Sequence, residues 1–330
     1  SQRHLMRSER FTELPVNVFV RLNQRQCQSF VTHHVARFCA TTLTNPRVFV
    51  NPKSGSIRLT GTVEIVDADG NLIETIENPK FCGCGNSKDK PWCDGSHKKI
   101  SQPVLALENA RLSKTAIEPF DPETGLALQM REKLVSARTE KNESIVGLKI
   151  GGALESKENQ TGVMIYGFLT DAMDASLGFD TAAFIYPRAE AEVVFKISKE
   201  ISNPITLDQV LDHVDQVSVG MEIFDYRYGQ AQIYSNDAIA DNAGAAAFAV
   251  GEWVTASHTV FDGLQTNLRC NSETIESAPL SAIRGNPWEA IVQLSTLASV
   301  QGLPLKKDWI IFSGSATKGV LMTSGNTYAV

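Results

Sequence analysis

Residues 81–97 read FCGCGNSKDKPWCDGSH, and no other stretch limits the fold so sharply. Cys82, Cys84 and Cys93 are followed by His97, with Gly83, Gly85 and Gly95 between them. Soft sulfur ligands select zinc, copper(I) or iron–sulfur clusters over hard cations. Zinc sites usually carry Cys-x2-4-Cys pairs whose sulfurs wrap one tetrahedral ion. Cys82 and Cys84 are separated by Gly83 alone, which is tight for one ion and suits one iron of a two-iron cluster. Cys93 and His97 would hold the other iron. A histidine ligand raises a cluster's reduction potential and adds a protonatable group. A zinc knuckle, or a surface turn with incidental cysteines, is the competing reading.

Cys82, Cys84, Ser87, Pro91, Cys93, Asp94, Gly95, Ser96 and His97 resemble the CDGSH iron–sulfur family position by position. The resemblance implies a [2Fe–2S] cluster on Cys82, Cys84, Cys93 and His97, carried by a small β module. Lys98 and Lys99 follow as positive charge beside it.

The chain has 330 residues, enough for two domains. Its formal net charge of −6 argues against non-specific nucleic-acid binding. No apolar run reaches the length of a membrane helix, and no secretory signal is visible. The start at Ser1 reads as a processed end or as extra residues ahead of Met6. The 6 cysteines do not make a disulfide scaffold, and a reducing cytoplasm fits them.

Ahead of the cysteine stretch, Val16, Val18 and Val20 alternate as in a strand, and a short helix could follow. His33, His34 and Cys39 suggest a second metal site only weakly, since adjacent histidines do not readily face one ion. Residues 47–50, then 57–66 and 72–76 around a 67–70 turn, read as a strand and a hairpin. Residues 101–122 read as a connector with scattered Pro103, Pro119 and Pro122. Residues 124–139 carry Leu126, Leu128, Met130, Leu134 and Val135 on a helical period, which predicts an amphipathic helix. These features place an N-terminal module at 1–100, the connector at 101–122 and a second domain at 123–330.

In residues 187–195 (PRAEAEVVF), Glu190 and Glu192 are two apart, and on a strand such side chains share a face. Side-by-side carboxylates repel unless a hard divalent cation such as Mg²⁺ or Mn²⁺ lies between them. Glu222, in a second apolar strand pattern, supplies a third ligand. An acidic, solvent-facing strand edge is the plainer alternative. Thr206 and Gln209 form a capping box that opens a helix between the two acidic strands, in which His213 is a surface or packing residue.

Residues 145–151 (IVGLKIG), 166–173 (YGFLTDAM), 187–195, 221–228 (MEIFDYRY), 237–243 (DAIADNA), 284–287 (RGNP) and 312–317 (FSGSAT) resemble, in order, blocks of the 2-hydroxydienoate hydratase and 4-oxalocrotonate decarboxylase group. That group lies within the fumarylacetoacetate hydrolase superfamily. The resemblance implies an α+β chain, with the small β-rich module followed by a mixed β-roll domain with flanking helices.

It further implies a metal on Glu190, Glu192 and Glu222, and Lys149 as a proton carrier whose pKa desolvation lowers. Asp225 joins Lys149 as a catalytic candidate, orienting the ligands with Arg227. Ser313, Gly314 and Ser315 would cradle a substrate carboxylate, and Asp241 and Asn242 either line the pocket or hold a loop. Two departures stand out. Residues 151–156 replace the family's Gly-Leu-Thr-Ser continuation, and the chain ends inside the family's last β segment, as a shortened tail would.

The function expected is a metal-dependent lyase, hydratase or decarboxylase, of a small 2-oxo or 2-hydroxydienoic acid. The alternatives are an acylpyruvate-type C–C hydrolase, or an iron–sulfur electron carrier or redox sensor with a non-catalytic second domain. The module implies an electron-donor or electron-acceptor protein as partner, and both resemblances imply a homodimer or higher homo-oligomer.

Overall fold

A computed structural model of the chain describes residues 19–21, 47–51, 56–83, 87–96, 98–155 and 162–330. The chain divides into two compact units, Ser1–Gln102 and Pro103–Val330. No helix among the described residues is long and apolar enough to cross a membrane.

The first unit is built from short strands. β1 (Phe19–Arg21), β4 (Thr62–Val66) and β5 (Leu72–Glu77) form one three-stranded sheet; β2 (Val48–Val50), β3 (Ile57–Leu59) and β6 (Lys80–Phe81) form another. The alternating run 57–66 is two strands rather than one, because the chain turns at Gly61, whose φ of 98° suits glycine. The Asp67 carboxylate closes the β4–β5 turn by accepting from the Asp69 and Asn71 backbones. Leu59, Val63, Ile65 and Phe81 are buried together, with the half-buried Trp92 stacked on Phe81 at 5.2 Å. Sites considered at His33, His34 and Cys39 lie outside the described residues, as does most of the first strand call.

Helix α1 (Lys98–Ser113) runs across the division between the units. The sequence suggested a connector there because of its prolines. Pro103 lies in the second turn and removes one backbone donor, while Leu107 and Ala110 bury one face and the helix continues. α2 (Thr124–Thr139) matches its expected span. Its buried side chains are Ala127, Met130, Arg131, Leu134 and Val135, so Leu126 and Leu128 lie at the edge of the apolar face. Arg131 enters the core because its guanidinium stacks on Tyr166 at 4.2 Å and donates to Tyr166 Oη and Gln301 Oε1.

The second unit is organised on an eight-stranded mixed sheet. Its path is β11 (Ala245–Val250), β10 (Val214–Phe224), β9 (Arg188–Ile197), β15 (Ile310–Ser315), β7 (Ile145–Glu155) and β8 (Gly162–Thr170). β12 (Val254–Thr255) joins β10, and β16 (Val320–Leu321) joins β9. The β15–β7 pairing is parallel and the others antiparallel. Gly147 permits that parallel approach, since a Cβ there would lie 1.9 Å from Ile310 O.

β13 (Gln265–Cys270), β14 (Glu273–Pro279) and β17 (Tyr328–Ala329) form a smaller sheet. α3 (Ser235–Ala240) is short, and α4 (Glu289–Val300) packs Ile291, Leu294 and Ala298 into the main core with Phe195, Trp288 and Ile311. The helix expected over residues 207–215 gives way to β10 at Val214 and is a 3-10 turn at Leu207–Asp212. Gln209 Oε1 accepts from the Thr206 backbone N–H at its start.

Candidate active site

β9 and β10 decide where the acidic side chains meet. Glu190 pairs across the ladder with Glu222, Glu192 with Gly220, and Arg188 with Phe224. Period-two alternation puts Arg188, Glu190 and Glu192 on one face, while Ala189 and Ala191 turn to the other and are buried. Carboxylates directly opposite on paired strands repel. Here Glu222 is fully buried and Glu192, beside it, is 1% exposed, while Glu190 is half-buried. A ligand oxygen from each of Glu190, Glu192 and Glu222 lies within 4.8 Å of the others.

Two contacts compensate part of this charge. Lys149 Nζ lies 2.7 Å from Glu222 Oε1. The Gly314 N–H donates to Glu192 Oε2 at 2.9 Å. Glu192 Oε1 and Glu222 Oε2 remain buried with no hydrogen-bond partner among the described residues. Burial, then the Glu222 charge, pushes the Glu190 carboxyl up to about 7. Burial, Glu222 and Glu190 push Glu192 well above the ordinary range. A hard cation would relieve all of this at once. The orphaned oxygens and the all-carboxylate donor set therefore fit Mg²⁺ or Mn²⁺.

The downward pKa shift expected of Lys149 is reversed. Burial alone would lower it, but Glu222, with Tyr226 and Glu190 behind it, outweighs burial and raises it. In the ion-free site Lys149 is thus held as an ammonium, and its ion pair with Glu222 could not be read from the sequence.

The remaining candidates have other duties. Both oxygens of Asp225 accept backbone N–H groups, from Ile185 at 2.9 Å and Tyr186 at 2.6 Å. The carboxylate expected to be catalytic is thus occupied in fixing the segment that enters β9. Ser313 Oγ is buried, accepting from Val193 N and donating to Gly314 O, and Ser315 Oγ donates to Thr317 O. Gly314 N serves Glu192. The donors expected to cradle a substrate carboxylate thus serve the ligand strand and its turn instead. Asp241 takes the Arg227 backbone N–H at 2.8 Å and lies 3.1 Å from its guanidinium. Asn242 bonds both backbone groups of Phe168, so Asp241 and Asn242 hold loops.

Several groups went unsingled in the sequence. Phe224 faces Lys149 Nζ at 5.8 Å from its ring centre, and burial raises the Tyr226 phenol well above its ordinary pKa. Both line a cavity of about 310 Å³ with Tyr186 and Arg188. Arg188 was legible as the residue two before Glu190. Arg284, its Nη1 donating to Gln293 Oε1, has its pKa lowered by burial and sustained by Glu192.

In the first unit, Phe81 and Trp92 form an antiparallel bridge. Cys82 N donates to Pro91 O and Cys93 N to Lys80 O, so the two half-buried cysteines flank the bridge on adjacent segments. Asp94 accepts from Ser96 N, Ser96 Oγ and Lys88 N, which hold its carboxyl down at about 2. The two thiols fit a soft metal centre. Cys84 and His97 lie outside the described residues.

A sequence profile described as an iron-binding zinc finger of CDGSH type matches residues 54–98. A second, described as the fumarylacetoacetate (FAA) hydrolase C-terminal domain, matches residues 175–330. The chain is 31% identical over 235 residues to a 4-oxalocrotonate decarboxylase of Pseudomonas sp, covering 69% of this chain and 91% of that one. It is 29% identical over 203 residues to a 2-hydroxyhexa-2,4-dienoate hydratase of Comamonas testosteroni, covering 59% and 77%. The solved 4-oxalocrotonate decarboxylase from Pseudomonas putida G7, complexed with magnesium and adipate, matches with a TM-score of 0.62 at 24% identity. That match covers 69% of this chain and 92% of that one, and a likeness at that identity speaks for the fold.

Proposed function

Because the chain belongs to the fumarylacetoacetate hydrolase superfamily, in its 4-oxalocrotonate decarboxylase and 2-hydroxydienoate hydratase group, and carries a CDGSH segment, we propose that it is a divalent-metal-dependent lyase. Its substrate would be a small 2-oxo or 2-hydroxydienoic acid. The observation that carries this reading is the set of three facing glutamates with orphaned oxygens beside a buried lysine.

Glu190, Glu192 and Glu222 would hold Mg²⁺ or Mn²⁺. Bound there, the ion supplies Lewis acidity toward the substrate's carboxylate and 2-oxygen. Lys149, with its Nζ 2.7 Å from Glu222 Oε1, would be the proton donor to the substrate skeleton. Phe224 and Tyr226 wall the cavity and keep the donor dry. Asp225 is a positioning residue that fixes the Tyr186 wall through two backbone N–H groups. Water addition would make the enzyme a hydratase, and loss of a vinylogous carboxylate a decarboxylase. The acylpyruvate hydrolase alternative would need a free general base to activate water.

Cys82, Cys84, Cys93 and His97 would hold a [2Fe–2S] cluster, which supplies one-electron redox chemistry and implies an electron-transfer partner. A cytoplasmic homo-oligomer completes the reading.

The test combines metal analysis with turnover. The purified protein should contain iron, sulfide and a separate divalent ion. It should convert 2-hydroxydienoates or a 2-oxo-enedioate only with Mg²⁺ or Mn²⁺, and Glu190→Gln should abolish turnover while leaving the visible iron–sulfur spectrum intact. Turnover that survives Glu190→Gln and chelation would refute the lyase reading.

A further inference from the structure

Arg284 takes a backbone conformation that residues with a side chain seldom adopt, with a φ of 53°, and Gly285 follows it at 82°. A left-handed arginine is strained, and such strain persists where the surrounding fold holds it in place for a use. The residue is half-buried, and its Nη1 donates to Gln293 Oε1 on α4 at 2.7 Å. Among the described residues its Nε is buried with no hydrogen-bond partner, and no carboxylate lies within ion-pair distance of the guanidinium. Nε–H and Nη2–H point the same way, along the edge of the fork that matches both oxygens of a carboxylate. The Gln293 contact fixes the fork and leaves that edge open.

Gly314 ties this edge to the glutamates. Its N–H donates to Glu192 Oε2 at 2.9 Å. A Cβ added to Gly314 would lie 3.5 Å from Ile150 O and 4.0 Å from Arg284 Nη2. Its own chain neighbours apart, nothing else among the described residues comes within 4 Å of that point. The turn therefore leaves room between its backbone and the guanidinium. These contacts cap the separation of Arg284 Nη2 from Glu192 Oε2 at about 9 Å, given standard bond lengths in the glycine between them. Burial lowers the Arg284 pKa, and the Glu192 charge offsets part of that. Ser313 and Ser315 turn their hydroxyls to backbone carbonyls, so the arginine is the donor left open at this turn.

We propose that the open edge of Arg284 binds the carboxylate next to the substrate's 2-oxygen, so that this arginine holds the 2-oxo acid head against the glutamate site. This rests on the lyase reading above and deepens it by naming a side chain that fixes the substrate head, the duty the sequence had assigned to Ser313, Gly314 and Ser315. Lys149 is already engaged by Glu222 and leaves the carboxylate to another cation. A neutral amide in place of the carboxylate would offer one acceptor oxygen and no charge, and its NH2 would meet the second donor of the fork. A site built to pair a polar group rejects the analogue that cannot pair it.

The experiment compares pyruvate with pyruvamide, which carries an amide where pyruvate has its carboxylate. The full-length protein, saturated with Mg²⁺, is titrated calorimetrically as wild type, Arg284→Met and Arg284→Lys. Pyruvate affinity should fall about tenfold or more in Arg284→Met, the loss of a charge-assisted contact. Arg284→Lys should lie between the two, since an ammonium is a point charge without the fork. Pyruvamide affinity should be the same in all three proteins. KM for a 2-hydroxydienoate should rise with the pyruvate loss, while kcat changes less. Urea unfolding of each variant accompanies the titrations. If Arg284→Met does not fold, the pyruvate-against-pyruvamide comparison in Arg284→Lys decides. Pyruvate binding unchanged by the substitution, or pyruvate and pyruvamide weakened equally, overturns the assignment.

Binding and turnover separate this assignment from the lyase reading. Arg284-dependent pyruvate binding in a protein that turns over no dienoate would sink the lyase reading and leave Arg284 standing. Mg²⁺-dependent turnover alongside pyruvate binding indifferent to Arg284 would do the reverse. Neither binding nor turnover would overturn both.

Discussion

Lys149 Nζ and Glu222 Oε1 lie 2.7 Å apart with side chains only 3% and 1% exposed. Lys149 is the cation that the described structure places against the triad. Removing one partner of a buried pair costs about 3–5 kcal/mol, because the other charge stays buried. Lys149→Met should therefore lower the stability of the second unit by about 3 kcal/mol in chelator. With excess Mg²⁺ the loss should shrink, since the ion compensates the same carboxylates. Urea unfolding followed by tryptophan fluorescence reads this through Trp288, which is buried in that unit. A loss of equal size with and without Mg²⁺ would count against an ion at these glutamates.

The same carboxylates make metal affinity depend on pH. Glu190 is pushed up to about 7 in the metal-free protein, so at lower pH the site holds a proton. A cation must displace that proton. Affinity for Mn²⁺ should rise as pH increases through about 7 and level off above it, with proton uptake by buffer during titration. Stability runs the other way. A carboxyl raised above its unfolded pKa favours the native form most below the unfolded value near 4.5, and that contribution is lost as pH rises through about 7. Metal-free protein should thus lose stability from pH 5 to pH 8, and saturating Mg²⁺ should flatten the trend.

Much of this site was legible because strand geometry is periodic. The Glu-Ala-Glu spacing put Glu190 and Glu192 on one face, and the neighbouring apolar pattern delivered Glu222. Their alignment depends on the β9–β10 register, which pairs Glu190 with Glu222 and which no local signal fixes. Long-range partners were the illegible part. Asp225 looked catalytic because it follows Glu222 closely, yet its partners are the backbones of Ile185 and Tyr186. Ser313 and Gly314 looked like open donors, and the sheet uses both internally. Pro103 suggested an interruption that the buried face of α1 overrides.

The Asp225 clamp has a measurable consequence. Asp225→Ala would leave two backbone N–H groups, at Ile185 and Tyr186, without their acceptor. Each orphaned donor costs about 1–3 kcal/mol, less where water reaches it. The Tyr186 wall should loosen, raising KM for the dienoate several-fold while kcat falls less, because Lys149 and the glutamates do not depend on this carboxylate. Asp225→Asn, which keeps an acceptor, should recover part of the effect. An equal fall in kcat with unchanged KM would instead place Asp225 in the chemistry.

In the first unit, Asp94 gathers Ser96 N, Ser96 Oγ and Lys88 N around one carboxylate, tying the turn after Cys93 to the loop before Pro91. These bonds hold its pKa down at about 2. For a depressed carboxyl, the stabilisation is fully present above the unfolded value near 3.8 and is lost as pH falls through about 2. Acid loss of the proposed cluster between pH 5 and 7 would therefore come from another group, and a histidine ligand titrates in that range. Asp94→Ala should release the turn at every pH and speed bleaching of the visible iron–sulfur absorbance even at pH 8. Asp94→Asn, keeping one acceptor oxygen, should fall between it and the wild type. Equal bleaching rates for all three proteins at pH 8 would show that the turn does not guard the cluster.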